Sequence, residues 1–334
     1  MKSTAGRQNS TIVRTEPVGL RAARAGLRVL SPHAPALAAR WAERLFLTAR
    51  RHERPSWECE ALAAARPARV RHETGWIPTW TWTPAGHARG SLDGSRTVIL
   101  VHGWEGRGSQ LAAFVPDLLA RGFRVVAFDA PGHGDSPLPR ASVVEHARAL
   151  GEVAAAVGPI HGVVGHSVGG AATLLATRFG LRAERLALIA PPTTPSEYAS
   201  AFARALALDA SLKGAMIARL EARYDLRLDD LDVRRDAERL PIPLLVIHDR
   251  DDRVVAFDHG RHLANDAPHG EMVEVTGLGH RAILRAPRVV ESVARFIDGG
   301  SPAPSFAETL DGELFLRDRR WVTASRSAQR REHP

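Results

Sequence analysis

The chain is poor in sulfur and in tyrosine: its 334 residues include one cysteine, Cys59, three methionines and two tyrosines. A single cysteine excludes an intramolecular disulfide framework and any metal motif built on cysteines. A long uncharged apolar run is also missing. Arginines interrupt every hydrophobic stretch, and Lys2, Arg7, Arg14, Arg21, Arg24 and Arg28 punctuate the N-terminal part. Neither a membrane span nor the apolar region of a secretion signal is therefore read, and the expected compartment is the cytoplasm. No internal repeat is visible.

What remains is a chain with 44% hydrophobic residues, enough for a sizeable core, and a net charge of +8. Such a charge suits an anionic partner in principle. The basic residues are nearly all arginine and lie scattered beside alanine, so no nucleic-acid groove is expected. Val18 to Arg51 carries apolar residues at helical spacing among many arginines. Two readings follow: a helix packed on the rest of the protein, or weak contact with an anionic membrane surface.

The pattern along the chain changes period several times. Leu37 to Arg50 has Ala38, Trp41, Leu45 and Ala49 on one helical face. Arg69 to His72 and Ile77 to Thr83 alternate as antiparallel strands do, and Asp93-Gly94 marks a turn. Thr97 to Val101 is a continuous apolar run, the pattern of a strand buried on both faces. Helix and strand then alternate: helices over Gln110 to Arg121, Val143 to Val157 and Gly169 to Phe179, strands over Arg124 to Phe128, Gly162 to Val164 and Arg185 to Ala190. Such alternation predicts a mostly parallel, doubly wound sheet.

Pro192 to Leu240 breaks the rhythm with two or three helices and no strand, which reads as an insertion. Strands at Ile242 to Ile247 and Glu271 to Val275, and helices at His259 to Ala267 and Pro287 to Ile297, resume it. The organisation expected is a basic N-terminal segment with an amphipathic helix (1–66), a core in two parts (67–191 and 241–298), a helical cap (192–240) and a tail (299–334). Within the tail, Leu310 to Trp321 reads as a small packed flap.

One stretch carries chemistry. Gly165-His166-Ser167-Val168-Gly169 lies between the β-branched Gly162-Val163-Val164 and a helix-forming run. Glycines at −2 and +2 allow a sharp strand-to-helix turn that leaves the Ser167 hydroxyl at its tip. A nucleophilic serine needs a base, and the base needs an orienting carboxylate. In a parallel sheet these belong on loops at the carboxyl ends of strands. Two loops qualify. His248 to Val255 holds Asp249, Asp251 and Asp252, and Thr276 to His280 ends in a histidine.

The order serine, acid, histidine, together with the Gly-x-Ser-x-Gly elbow, resembles the α/β-hydrolase superfamily over roughly Val70 to Ile297. The resemblance implies a serine hydrolase of carboxylesterase type, with antiparallel N-terminal strands and a small helical cap on the mostly parallel sheet. Ser167 is then the nucleophile and His280, in Gly-Leu-Gly-His, the base. The family's acid pattern, Gly-x-x-Asp-x-x-Val, falls on Asp252, although Asp249 stands where the family has glycine, so Asp249 and Asp251 stay open as alternatives. His248, His259, His262 and His269 are read as surface or helix residues. His102-Gly103-Trp104 matches the oxyanion loop, giving the N–H groups of Trp104 and Val168 that role.

The same resemblance makes Phe128 to Ser136 a structural brace, so Asp129 and His133 are given no catalytic part. His166, Trp104, Tyr198 and Phe202 are expected to line the substrate site, with Leu206, Leu212, Met216 and Leu220 on the cap's apolar face. The implied substrate is a small molecule with an ester or related acyl bond, and no cofactor or metal is implied. C–C bond hydrolysis or acyl transfer by the same residues, or a non-catalytic binding protein on this fold, are the alternatives. Aspartate nucleophiles mark the family's epoxide hydrolases and dehalogenases, and this chain has serine there.

Overall fold

The computed structural model describes residues 18–73, 75–85 and 96–307. Residues 1–17, the Asp93-Gly94 turn and the stretch Leu310 to Trp321 lie outside the described residues. The N-terminal part supplies three helices, α1 (Val18–Leu30), α2 (Pro35–Phe46) and α3 (Ser56–Ala63), then two strands, β1 (Arg66–His72) and β2 (Gly75–Trp82). Next come β3 (Thr97–Val101), α4 (Val115–Ala120), β4 (Arg124–Phe128), α5 (Val143–Val157), β5 (Ile160–His166), α6 (Val168–Arg178) and β6 (Arg185–Ile189). Three helices without a strand follow, α7 (Pro195–Ala205), α8 (Ala210–Tyr224) and α9 (Arg234–Glu238). The chain then forms β7 (Leu244–Asp249), α10 (Phe257–Asp266), β8 (Gly270–Thr276), the short α11 (Gly279–Ala282), α12 (Pro287–Ile297) and β9 (Phe306–Ala307).

The strands form one sheet in the order β1-β2-β4-β3-β5-β6-β7-β8-β9. β1 pairs antiparallel with β2, and β2 with β4; every later pairing is parallel. This is the expected doubly wound α/β sheet with antiparallel N-terminal strands. The apolar runs explain it, because side chains alternate between faces along a strand and both faces are covered. Val98, Leu100, Val125, Ala127, Leu245 and Ile247 enter the core shared with α4 and α12. Ile99, Val101, Val126, Phe128, Leu244 and Val246 enter the opposite core with α5, α6 and α8. Each such burial stabilises by roughly 1.5–3 kcal/mol before chain entropy is counted.

The structure revises several element boundaries. The single helix expected over Gln110 to Arg121 is a 3₁₀ stretch, Gly108–Phe114, followed by α4. Pro116 lies in the first turn of α4, where its missing N–H leaves no bond unmade, and a helix continuing from upstream would need that donor. β5 is longer than the expected Gly162 to Val164. Its Gly162 leaves room for α12, since a Cβ there would stand 2.7 Å from Ile297 Cδ1. α3 and β9 were not read in the sequence; eight and two residues are too short for a periodic signal.

Candidate active site

Ser167 occupies the corner between β5 and α6, at φ 52° and ψ −127°, a conformation rare for a residue with a side chain. Two glycines make the corner feasible. A Cβ on Gly169 would stand 2.4 Å from the His102 carbonyl oxygen and 2.5 Å from that of Val101. A Cβ on Gly165 would stand 2.9 Å from the Gly169 carbonyl oxygen. The backbone N–H of Ser167 donates to the Ile189 carbonyl at 2.9 Å, which ties the corner to the end of β6.

The carboxyl ends of β7 and β8 bring two further groups to this corner. His280 Nε2 lies 3.0 Å from Ser167 Oγ, and His280 Nδ1 lies 2.7 Å from Asp252 Oδ2. Asp252 Oδ1 accepts the N–H groups of Val254 at 2.7 Å and Val255 at 3.0 Å. Burial alone would raise this carboxyl's pKa, but the His248 ring 3.6 Å away, the hydrogen bond with His280 and that from the Val255 N–H hold it below the usual carboxylate range. It therefore stays ionised. With a carboxylate accepting from Nδ1–H, His280 presents an unprotonated Nε2 to the serine hydroxyl.

Asp249 takes a different part. Its Oδ2 accepts the N–H groups of Leu278 at 2.6 Å and Gly279 at 2.8 Å, and its Oδ1 accepts that of Asp251 at 2.7 Å. All three bonds go to backbone, so Asp249 ties the two histidine-bearing loops together. The family's acid pattern had pointed to Asp252, but nothing in the sequence indicated this backbone role for Asp249.

The His102-Gly103-Trp104 loop passes close over Ser167: a Cβ on Gly103 would lie 2.9 Å from Ser167 Cβ. Neither the N–H of Trp104 nor that of Val168 enters a loop or turn hydrogen bond among the described residues. The loop is held from below. His102 Nδ1–H donates to the Gly103 carbonyl at 2.8 Å while Nε2 accepts the Ala130 N–H at 3.0 Å. α3 holds it from the side, because the buried Glu58 accepts two bonds from Arg107, at 2.5 and 2.7 Å, and one from the Ser109 hydroxyl at 2.5 Å.

Beneath the loop, His102, His133 and His146 pack ring against ring with centroids 4.7 to 5.1 Å apart, and the Trp104 indole stands edge-on to His133 at 5.3 Å. Burial lowers the pKa of all three histidines, that of His133 to about 4. Asp129 lies in the same brace. It accepts the N–H groups of Gly108 at 2.8 Å and Asp135 at 2.6 Å and pairs with Arg54 at 3.1 Å, yet burial raises it to about 6.

The remaining expected site residues divide. His166 is buried beside His280, with ring centroids 4.8 Å apart, and its Nε2–H donates to the His280 carbonyl at 2.9 Å. Tyr198, on α7, is half-buried; burial raises its phenol and the Asp252 charge raises it further, so it stands within electrostatic reach of that carboxylate. Phe202 packs edge-on against Phe46 of α2 at 5.1 Å, in the seam between the inserted helices and the N-terminal ones. Among the described residues no group of three or more His, Cys, Asp or Glu side chains is arranged to hold a metal ion.

Fold and geometry together define an α/β hydrolase, and the chain belongs to the alpha/beta hydrolase family, whose model matches residues 98–293. It is similar to the pimeloyl-[acyl-carrier protein] methyl ester esterase of Xanthomonas campestris pv. campestris, with 29% identity over 60% of this chain and 94% of that protein. The AB hydrolase superfamily protein YisY of Bacillus subtilis is 23% identical over 60% of this chain and 91% of its own length. Among solved structures, an esterase from Exiguobacterium antarcticum superposes with a TM-score of 0.53 at 16% identity, covering 70% of this chain and 99% of that one. The esterase RhEst1 from Rhodococcus sp. ECU1013 superposes at 0.51 and 21% identity, covering 70% and 98%. These similarities make the protein a hydrolase with esterase relatives.

Proposed function

We propose that the protein cleaves a carboxylic ester through an acyl-enzyme formed on Ser167. The observation that carries this reading is the unbroken hydrogen-bonded line from Ser167 Oγ through His280 to Asp252, at 3.0 and 2.7 Å. Geometry of this kind lets the imidazole take the hydroxyl proton as the oxygen attacks, while the carboxylate orients the ring and stabilises the cation.

In the first half-reaction Ser167 Oγ bonds to the acyl carbon and its proton passes to His280 Nε2. Collapse of the tetrahedral intermediate breaks the ester C–O bond, and the departing alkoxide takes that proton and leaves as the alcohol. A water molecule then gives a proton to His280 and attacks the acyl carbon, and the proton returns to Ser167 Oγ as the acid leaves. Trp104 and Val168 N–H groups are the proposed oxyanion donors, each worth about 3 kcal/mol in the transition state. The esterase relatives support an ester over other acyl bonds, and the apolar surroundings of the cap support a hydrophobic acyl or alcohol part.

The test is labelling with a fluorophosphonate together with turnover of p-nitrophenyl esters of increasing chain length, for the wild type and Ser167→Ala. Labelling at Ser167, with turnover lost in the variant, is the expected result. A folded wild type that neither labels nor turns over any ester overturns the reading and leaves a binding role on this fold.

A further inference from the structure

The outer surface of the N-terminal helices has a pattern that the active site does not use. Along α1, Val18, Ala22, Ala25 and Val29 follow the spacing i, i+4, i+7, i+11 and are all exposed, Val18 by 80% and Val29 by 68%. Leu37, at the start of α2, is 58% exposed, and between the helices Ala25, Gly26, Val29, Leu30, His33 and Trp41 line a shallow apolar groove. Exposed valine and leucine at helical spacing on one ridge need a partner to cover them.

Charge identifies the partner. Arg21 and Arg28 flank the ridge on α1, and Arg40 and Arg44 stand exposed on α2, none with an ion-pair partner among the described residues. α1 has no acidic residue, and the one in α2, Glu43, is buried and bound by Arg219 and Arg223 of α8. The face is thus apolar along its crest and cationic at its sides, as in helices that lie in a lipid interface. A second copy is a poor occupant, because apposing two such faces puts arginine against arginine with no carboxylate between them.

We propose that the α1–α2 face docks the protein onto an anionic bilayer surface, with Val18, Val29 and Leu37 entering the interface and Arg21, Arg28, Arg40 and Arg44 meeting lipid headgroups. The face is firmly attached to the rest of the molecule. Arg24 donates to the Ala205 carbonyl of α7, at 2.6 Å for Nη2, and Glu43 fixes α2 to α8. Docking would therefore carry the whole protein, without requiring any helix to detach.

The experiment is co-sedimentation of the full chain with vesicles of phosphatidylcholine alone and with 30% phosphatidylglycerol, the latter mixture being about one charge in three lipids. Binding to the anionic vesicles, loss of it in high salt, and a monomer by light scattering are expected. Neutralising two arginines in Arg21→Gln/Arg28→Gln should lower partitioning about 25-fold, a factor of about five for each charge. Val29→Ser/Leu37→Ser should also release the protein, while both variants keep wild-type thermal melting and turnover of a soluble ester. Equal binding to neutral and anionic vesicles, no binding to either, or binding that both double variants retain overturns the proposal. So does a dimer that Val29→Ser/Leu37→Ser dissolves, which assigns the face to a second copy.

Discussion

His166 holds His280 by its backbone: the Nε2–H of the residue preceding Ser167 donates to the His280 carbonyl at 2.9 Å. The serine corner and His280 therefore share a link that bypasses the serine hydroxyl. Because the carbonyl fixes the proton on Nε2, the buried Nδ1 is an acceptor, and it has no partner among the described residues. Burial, and next the nearby His280, lower the His166 pKa to about 3, so this tautomer persists across the working range of the enzyme.

His166→Ala is expected to lower kcat about 10- to 100-fold, because the imidazole of His280 loses its backbone anchor and drifts from Ser167. Fluorophosphonate labelling should slow in parallel but still occur at Ser167. Wild-type kcat in a variant that melts normally would remove the anchoring role.

Two aspartates three residues apart are expected to fail differently. Asp252→Asn keeps the fold and drops kcat by about 10³–10⁴-fold, since an amide neither stabilises the imidazolium nor enforces its tautomer. Asp249→Asn replaces one backbone-accepting oxygen by an amine that faces the N–H groups of Leu278 and Gly279. Its stability should fall by about 1–3 kcal/mol. Urea unfolding of both variants beside ester kinetics separates the two roles, and equal melting of the two would contradict it.

Acid should unfold this protein early. His102, His133, His146 and His166 are all lowered, chiefly by burial, so each is neutral in the fold and protonated when unfolded below about pH 6.5. Their contribution is complete above pH 6.5 and is lost as pH falls; for His133, whose folded value is about 4, and His166, at about 3, the slope between that value and 6.5 is about 1.4 kcal/mol per pH unit each. Asp129 opposes this. Its raised value, about 6, lets the fold gain a proton that the unfolded chain lacks, offsetting one histidine between about pH 6 and 4. Near pH 5 the net effect of these groups is still a loss of stability as the pH falls. Urea midpoints at pH 7, 6 and 5 measure it, and His146→Asn should flatten it by about one histidine.

Gly103→Ala tests how closely the loop approaches the nucleophile. The added methyl would stand 2.9 Å from Ser167 Cβ and 3.1 Å from His166 Nδ1, so the loop must back away. A displacement of this kind is expected to cost about 100-fold in kcat with little change in melting temperature. Unchanged kinetics would mean that the loop takes no part in the reaction.

The sequence by itself determined the sheet and the elbow, because both depend on local signals. Runs such as Thr97 to Val101 have one stable fate, burial between two layers, and a serine between glycines at −2 and +2 has few alternatives to a tight corner. The order of serine, acid and histidine followed from the strands that carry them. Local pattern also favoured helices over 192–240 without saying where they pack.

Tertiary structure decided whatever depends on the direction of a side chain across a loop. Asp249, Asp251 and Asp252 are chemically alike; the family's pattern favoured Asp252 without excluding its neighbours, and the path of the loop turns Asp252 towards His280 while Asp249 turns to backbone N–H groups. Phe202, at a position expected to line the substrate site, has Phe46 at the end of α2 as its ring partner, a contact across more than 150 residues of sequence. A strand of β-branched residues carries its environment in its own pattern; the partner of a single side chain depends on which distant segments the fold brings beside it.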